Sequence, residues 1–140
     1  MISSPLVSCT VLTNKRDKRN HVIDTITIHH AAAVKASAAD IGRVFANTSR
    51  EASSNYGIGY NGEIGLYVPE DYRAWTSSSR SNDHRAVTIE VANSSGAPDW
   101  KVSDASMNSL IKLCADICKR NNIKKLMWRG DKKLIGQIDK

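Results

Sequence analysis

The chain has 140 residues, of which 41% are hydrophobic and 24% are charged, a balance that fits one globular domain with a sizeable core. No segment approaches the roughly 20 apolar residues that span a bilayer, and the N-terminus lacks the features of a signal peptide, which favours synthesis in the cytoplasm. The three cysteines are an odd number that predicts no disulfide, and the net charge of +6 favours anionic partners without naming one.

The first predicted element is a strand over about residues 22–29, which ends in two adjacent histidines. Thr25–Ile28 suit a pleated strand, so His29 and His30 should point to opposite faces and only one of them can face a given pocket. Imidazole is a common metal ligand, but a capping histidine beside a surface histidine is an equally simple interpretation. Residues 31–36 are expected to form a loop.

A helix is predicted next, beginning after Ser37 and ending near Asn47. Ser37 and Asp40 have the spacing of an N-terminal cap, and Ile41, Val44 and Phe45 recur on one face.

A β-hairpin is predicted over residues 56–68. Asn61 and Gly62 separate two apolar segments, and both residues tolerate the positive φ that tight hairpin turns require. Pro69 should stop the second strand, and residues 70–84 are expected to form a long polar loop that contains Trp75.

A further strand and a long helix complete the pattern. Residues 85–92 alternate so that Glu90 lies opposite an aliphatic face, and Ser103 can cap an amphipathic helix that ends near Asn121. Residues 123–128 could form one more strand. The sequence therefore predicts an α/β fold, a central mixed β-sheet flanked by helices.

Four segments, in this order, resemble the type 2 N-acetylmuramoyl-L-alanine amidases, a zinc-dependent family that includes phage lysozyme-like amidases and peptidoglycan recognition proteins. They are Thr27-Ile-His-His-Ala-Ala32, Tyr56-Gly-Ile-Gly-Tyr-Asn-Gly-Glu-Ile64, Val68-Pro-Glu-Asp-Tyr-Arg-Ala-Trp75 and Asn82-Asp-His-Arg-Ala-Val-Thr-Ile-Glu-Val91. The resemblance implies the peptidoglycan amidase or recognition-protein fold.

The resemblance also implies roles for three residues at the reaction centre. His29 matches a zinc ligand, Glu90 matches the catalytic acid/base, and Tyr56 matches an aromatic that faces the metal and could donate to the oxyanion. Other interpretations remain open, since Glu90 could pair with Arg85 or Arg73, and Tyr56 could simply pack in the hairpin.

Trp75, Asn82 and His84 are the substrate-binding residues that the resemblance implies. Trp75 could instead belong to the core, and His84 is expected at the surface, in the loop that borders the groove. Thr76 stands where the family usually has a histidine, which suggests an altered substrate contact.

The resemblance fails at the C-terminus. Family members complete the zinc site with a second histidine and then a cysteine, aspartate or histidine beside Pro-Gly, whereas this sequence has no histidine after His84 and no cysteine after Cys118. We expect the remaining Zn²⁺ ligands beyond Lys140, so that residues 1–140 are an amidase catalytic domain lacking its C-terminal portion; loss of the metal is the alternative.

The predicted function is zinc-dependent hydrolysis of the amide bond between N-acetylmuramic acid and L-alanine in peptidoglycan. As in phage or prophage endolysins, a monomer made in the cytoplasm would act on the cell wall after release. One alternative is a peptidoglycan-binding module with an incomplete metal site and no activity. The other, a nucleic-acid-binding domain, is disfavoured by scattered lysines and an aromatic content of 6%.

Overall fold

A computed structural model describes residues 1–128 and 130–134 of the chain. Seven strands are present in that part: β1 (Cys9–Thr10), β2 (Arg16–Lys18), β3 (Thr25–Val34), β4 (Tyr56–Ile58), β5 (Ile64–Leu66), β6 (Tyr72–Ala74) and β7 (Ala86–Asn93). The helices are α1 (Ala38–Asn47), α2 (Arg80–Arg85) and α3 (Asp104–Arg120), followed by a short 3₁₀ turn at Lys132–Leu134.

The central sheet has five strands in the order β1-β5-β4-β7-β3, which places β3 at one edge. Only β4 and β5 run antiparallel, so the sheet is mixed and the predicted fold class is confirmed. Paired residues point to the same face of a sheet. One such row crosses all five strands, through His29, Glu90, Gly57, Gly65 and Cys9.

The larger hydrophobic core lies between the sheet and α3. Ser103 caps this helix by accepting a hydrogen bond from the Ser106 N–H, as its sequence predicted. Its apolar stripe buries Leu113 and Ile117 completely against β4 and β7. The buried residues of this cluster are Tyr56, Ile58, Ile64, Leu66, Val87, Ile89, Val91, Leu110, Leu113 and Ile117.

The opposite face of the sheet carries α1 and a smaller core. The predicted cap at Ser37 is confirmed as a capping box, in which Ser37 and Asp40 each accept from the other's backbone N–H. Tyr67 packs here against Phe45 and fills the space over Gly57, where an added Cβ would collide with the Tyr67 hydroxyl group.

The predicted hairpin is also confirmed, with strands shorter than the sequence suggested. Gly62 has φ of +86°, and its N–H donates to the Gly59 carbonyl oxygen to close the turn. The turn packs against α3, because a Cβ on Gly62 would lie 2.9 Å from the backbone oxygen of Ala105.

Short polar strands are where the sequence-based prediction was wrong. The expected loop at 70–84 contains β6 and most of α2, and β1 and β2 precede residue 22, where the first element was predicted. β2 and β6 form a separate antiparallel pair. Segments of two or three residues are too short to show a hydrophobic period, and long-range pairing alone makes them strands.

The end of β3 also differs from the expected loop at 31–36, since the strand continues to Val34 after a register shift. The buried side chain of Asn93 holds this stretch by accepting from the Ala33 N–H at 3.3 Å. Residues 123–128, which could have formed a strand, do not form one. Residues 135–140 lie outside the described part of the chain. None of the described helices is long and apolar enough to cross a bilayer.

Candidate functional site

His29 and Glu90 face each other on the α1 side of the sheet, at paired positions of β3 and β7. The His29 Nδ1 atom lies 3.3 Å from Glu90 Oε1. The histidine side chain is 40% exposed and the glutamate side chain is 14% exposed. Two residues 61 positions apart in sequence thus form one half-open polar pair.

The partner of His29 determines which ring nitrogen is available. A carboxylate only accepts hydrogen bonds, so the Nδ1 atom that faces it carries the proton, and the neutral ring then has its lone pair on Nε2. Metal-binding histidines commonly donate their other N–H to a carboxylate in this way. His29 therefore has the hydrogen bonding expected of one metal ligand.

The surroundings of Glu90 shift the pKa of its carboxyl group upward. Burial is the main cause, and the interactions with His29, His30 and Arg50 offset it only in part. The alternative partners are engaged elsewhere, because Arg85 pairs with Asp24, and Arg73 pairs with Asp17.

His30 points to the other face of the sheet, as the strand pattern predicted. Its Nδ1 atom lies 3.4 Å from the Asn93 side-chain oxygen, and its ring stacks on Trp100 with centroids 5.4 Å apart. The Asn93 amide also donates to the Trp100 carbonyl oxygen. This cluster of His30, Asn93 and Trp100 holds the backbone that follows His29 and is separate from the His29–Glu90 pair.

Glu90 opens into a cavity of about 290 Å³ beneath α1. Most of the lining is apolar or small, and the polar side chains are those of Glu90, Arg50 and Thr76. The full lining is Ala31, Ala33, Ile41, Val44, Phe45, Arg50, Ala52, Thr76 and Glu90. A buried acid at the wall of an apolar cavity is a common arrangement in binding and catalytic sites.

A second cavity of about 470 Å³ contains the predicted contact residue Trp75. Its lining carries charges of both signs, from Glu51, Arg73, Arg80 and Asp83. Trp75 is half-buried, with its indole N–H donating to Asp17 at 3.0 Å and its ring left to line the cavity.

Asn82 and His84 have partners within the protein. The Asn82 amide donates to the Thr27 hydroxyl at 3.0 Å and thereby ties α2 to β3. His84 is 7% exposed, so the expectation that it lies at the surface was wrong. Its Nδ1 accepts from the Asn20 N–H, and burial together with nearby arginines lowers the pKa of its ring.

Tyr56 is not brought to His29 and Glu90. It pairs with Ile89, so its side chain lies on the α3 face, where it is fully buried. Its hydroxyl donates to Glu70 and accepts from the Ser4 N–H, and burial with the Glu70 charge raises its pKa. The structure therefore places Tyr56 in a buried polar network.

The described residues do not supply a complete zinc site. A catalytic zinc ion takes three protein ligands and an open position. In residues 1–128 and 130–134, no three His, Cys, Asp or Glu side chains lie close enough to share a metal ion. His29 and Glu90 provide one imidazole and one carboxylate, so the donor set is short by at least one ligand.

Two residues of this site were missed by sequence reasoning. Tyr67 lies over Gly57, the neighbour of Glu90 in the row, and so helps to bury the carboxyl group. Gly57 and Gly65 were the sequence signal that could have identified Tyr67, since a stretch of sheet without side chains needs a large side chain to cover it. Arg50 came from a polar run without any pattern that would single it out.

The family profile described as N-acetylmuramoyl-L-alanine amidase matches residues 18–136, which is most of the chain. The matched range includes both His29 and Glu90. No curated protein matches the sequence significantly.

Solved structures share the fold at low sequence identity. A selenomethionine derivative of AmpD aligns with a TM-score of 0.68 and 17% identity, over 88% of this chain and 81% of its own. A mutant endolysin from Bacillus subtilis gives 0.66 and 20%, over 84% and 79%. The Drosophila peptidoglycan recognition protein SA gives 0.62 and 14%, over 83% and 75%.

Proposed function

Because the chain belongs to the N-acetylmuramoyl-L-alanine amidase family, we propose that it hydrolyses the amide bond between N-acetylmuramic acid and L-alanine in peptidoglycan. The observation that carries this proposal is the His29–Glu90 pair, whose glutamate lines the smaller cavity. It joins a partly buried acid of raised pKa to a half-exposed imidazole at the positions that the family motifs match.

Glu90 is proposed as the group that moves the proton. Amide hydrolysis needs a base to take a proton from the attacking water and an acid to protonate the departing nitrogen. The Glu90 carboxylate accepts the first proton and returns it to the nitrogen as the carbon–nitrogen bond breaks. The burial that raises its pKa makes this carboxylate a stronger base than an exposed glutamate.

His29 keeps the Glu90 carboxylate in place by donating from Nδ1, which leaves the lone pair of the neutral ring on Nε2. We propose that the zinc ion typical of the family binds at Nε2, with further ligands from outside the described residues.

The zinc proposal has its own test, which does not depend on activity. Zinc measured by mass spectrometry after dialysis is expected to be well below one ion per chain for residues 1–140. His29→Ala should abolish the remainder, while His21→Ala, at an exposed histidine, should leave it unchanged. Equal zinc content in both variants would contradict a role for His29 as ligand.

We further propose that the protein acts as an endolysin of phage or prophage origin, made in the cytoplasm and active on the cell wall as a monomer. Endolysin and recognition-protein folds among the structural neighbours support this setting. Trp75 is the proposed substrate contact in the larger cavity. For Asn82 and His84 we propose a lesser part, that of shaping the groove.

Glu90→Gln tests the catalytic proposal. The substitution keeps the size of the side chain and removes its proton transfer, so amide cleavage should fall by roughly 10²–10⁴-fold. Release of L-alanine-terminated peptides from purified peptidoglycan measures the rate. Glu63→Gln is the matched control, because this glutamate accepts from the Ala38 N–H and the amide oxygen can do the same.

A peptidoglycan-binding module without activity is the second candidate, favoured by the incomplete donor set. It predicts that the wild-type chain sediments with purified cell walls, releases no peptide, and is unaffected by Glu90→Gln. Cleavage that Glu90→Gln abolishes would exclude it.

A further inference from the structure

Two residues line both cavities of the site. Ala52 and Thr76 belong to the wall of the smaller cavity, which holds Glu90, and to the wall of the larger cavity, which holds Trp75. Both side chains are small. The two cavities are therefore compartments of one groove, divided by the low ridge that Ala52 and Thr76 form.

The Thr76 side of the ridge is held rigidly. Its hydroxyl donates to the Ser53 carbonyl oxygen at 2.7 Å and lies 2.8 Å from the Thr88 hydroxyl. Its backbone N–H donates to Asp83 at 3.1 Å. Because the polar atoms of Thr76 are engaged within the protein, the residue offers the groove its bulk rather than a polar contact.

From this arrangement we infer that Ala52 and Thr76 determine which stem peptides the groove accepts, an inference that rests on the proposed amidase function. With the scissile amide beside Glu90, the stem peptide beyond L-alanine crosses the ridge and enters the larger cavity. The low ridge admits extended stems, and a higher one would weaken their binding more than that of the shortest substrate.

The charges of the two compartments indicate that the peptide, and not the sugar, crosses the ridge. Glu51 and Arg80, which are exposed, line the larger cavity and suit the ammonium and carboxylate groups of a stem peptide, while Arg73 and Asp83 are buried in the same wall and paired with each other. A muramoyl ring offers mainly neutral hydroxyl and amide groups. The Nε atom of Arg73 is moreover buried without a hydrogen-bond partner among the described residues.

The test compares Thr76→Leu, which raises the ridge, with Thr76→Val, which keeps its height and removes the hydroxyl. Both are made in the Glu90→Gln background, and binding is measured by calorimetry for N-acetylmuramoyl-L-alanine and for an N-acetylmuramoyl tetrapeptide. Thr76→Leu should weaken binding of the tetrapeptide by about tenfold more than it weakens binding of the short ligand. Thr76→Val should leave the ratio of the two affinities unchanged.

Equal weakening of both ligands by Thr76→Leu, or weakening of neither, would overturn the inference while leaving the amidase proposal intact. Ala52→Leu repeats the test from the other shared position if Thr76→Leu does not fold by circular dichroism. If the Glu90→Gln protein with Ala52 and Thr76 unchanged binds neither ligand, and the wild-type protein cleaves neither, the proposed function fails and the inference fails with it.

Discussion

The two faces of the central sheet are built from alternate residues of the same strands, yet they use their polar groups in opposite ways. On the α3 face, Tyr56 and Glu70 are fully buried, and each is held by partners within the protein. On the α1 face, His29 and Glu90 partner each other, the His29 side chain is 40% exposed, and Glu90 lines a cavity.

The α3 face contributes mainly to stability, whereas the α1 face holds the candidate reactive groups. The α3 face has a continuous apolar cluster, and its buried carboxylate is neutralised by the two hydrogen bonds that Arg120 donates to Glu70. The α1 face interrupts its packing with a carboxyl group whose pKa is raised by burial. Substitutions on the two faces should therefore separate stability from activity.

The largest expected effect on stability is that of Leu113→Ala. Leu113 is fully buried in the α3 cluster, so the cavity left behind should lower the free energy of unfolding by roughly 2–5 kcal/mol. Urea denaturation followed by circular dichroism measures it. Ile111→Ala on the exposed side of the same helix should stay within about 0.5 kcal/mol, and a similar loss in both variants would refute the packing argument.

Glu70→Gln should come next, at roughly 2–3 kcal/mol, because it leaves the Arg120 guanidinium without its buried charged partner. Arg120 is 27% exposed and retains Asp116, which keeps the cost below that of a fully buried cation. Amidase activity measured well below the melting temperature should persist. A loss of activity without a loss of stability would show that the two faces are coupled.

Ser37→Ala should cost about 1 kcal/mol, since it removes the side-chain half of the capping box at the start of α1. Thermal melting compared with Ser49→Ala, at an exposed serine just after the same helix, measures the difference. If both substitutions have the same effect, the cap makes no net contribution to stability.

The smallest effect should have the opposite sign. When the pKa of a carboxyl group is higher in the folded protein than in the unfolded chain, ionisation of that group lowers the free energy of unfolding. The loss is present at neutral pH and disappears as pH falls and the group is protonated. Glu90→Gln should therefore stabilise the protein slightly at pH 7, and the gain should vanish as pH falls below the ordinary pKa of glutamate. Melting temperatures across pH 3–8 would contradict this if the variant were less stable at pH 7.

Periodic segments of the sequence were predicted well because their pattern is local. The strand with Glu90, the helices capped by Ser37 and Ser103, and the hairpin at Gly62 are all confirmed. The pairing of β2 with β6 could not be predicted, since each strand has only three residues and the partner lies more than 50 positions away.

The site shows the same division between local and long-range information. Alternation along β3 and β7 correctly separated His29 from His30 and placed Glu90 opposite the aliphatic residues. It could not show that the aromatic at Tyr56 pairs with Ile89 and so lies on the far face, because that depends on the register between β4 and β7. The ridge at Thr76 likewise exists only once two separate loops meet.

The separation of His29 and Glu90 by 61 residues also has a consequence for the order of folding. When two parallel strands lie far apart in sequence, the entropic cost of closing the loop between them precedes the favourable free energy of their pairing. Such strands therefore tend to pair late. β3 contributes one residue of the pair and β7 the other, and neither hairpin nor helix can bring them together earlier. The His29–Glu90 pair can therefore form only when β3 pairs with β7, and a molecule in which these strands are still apart lacks it.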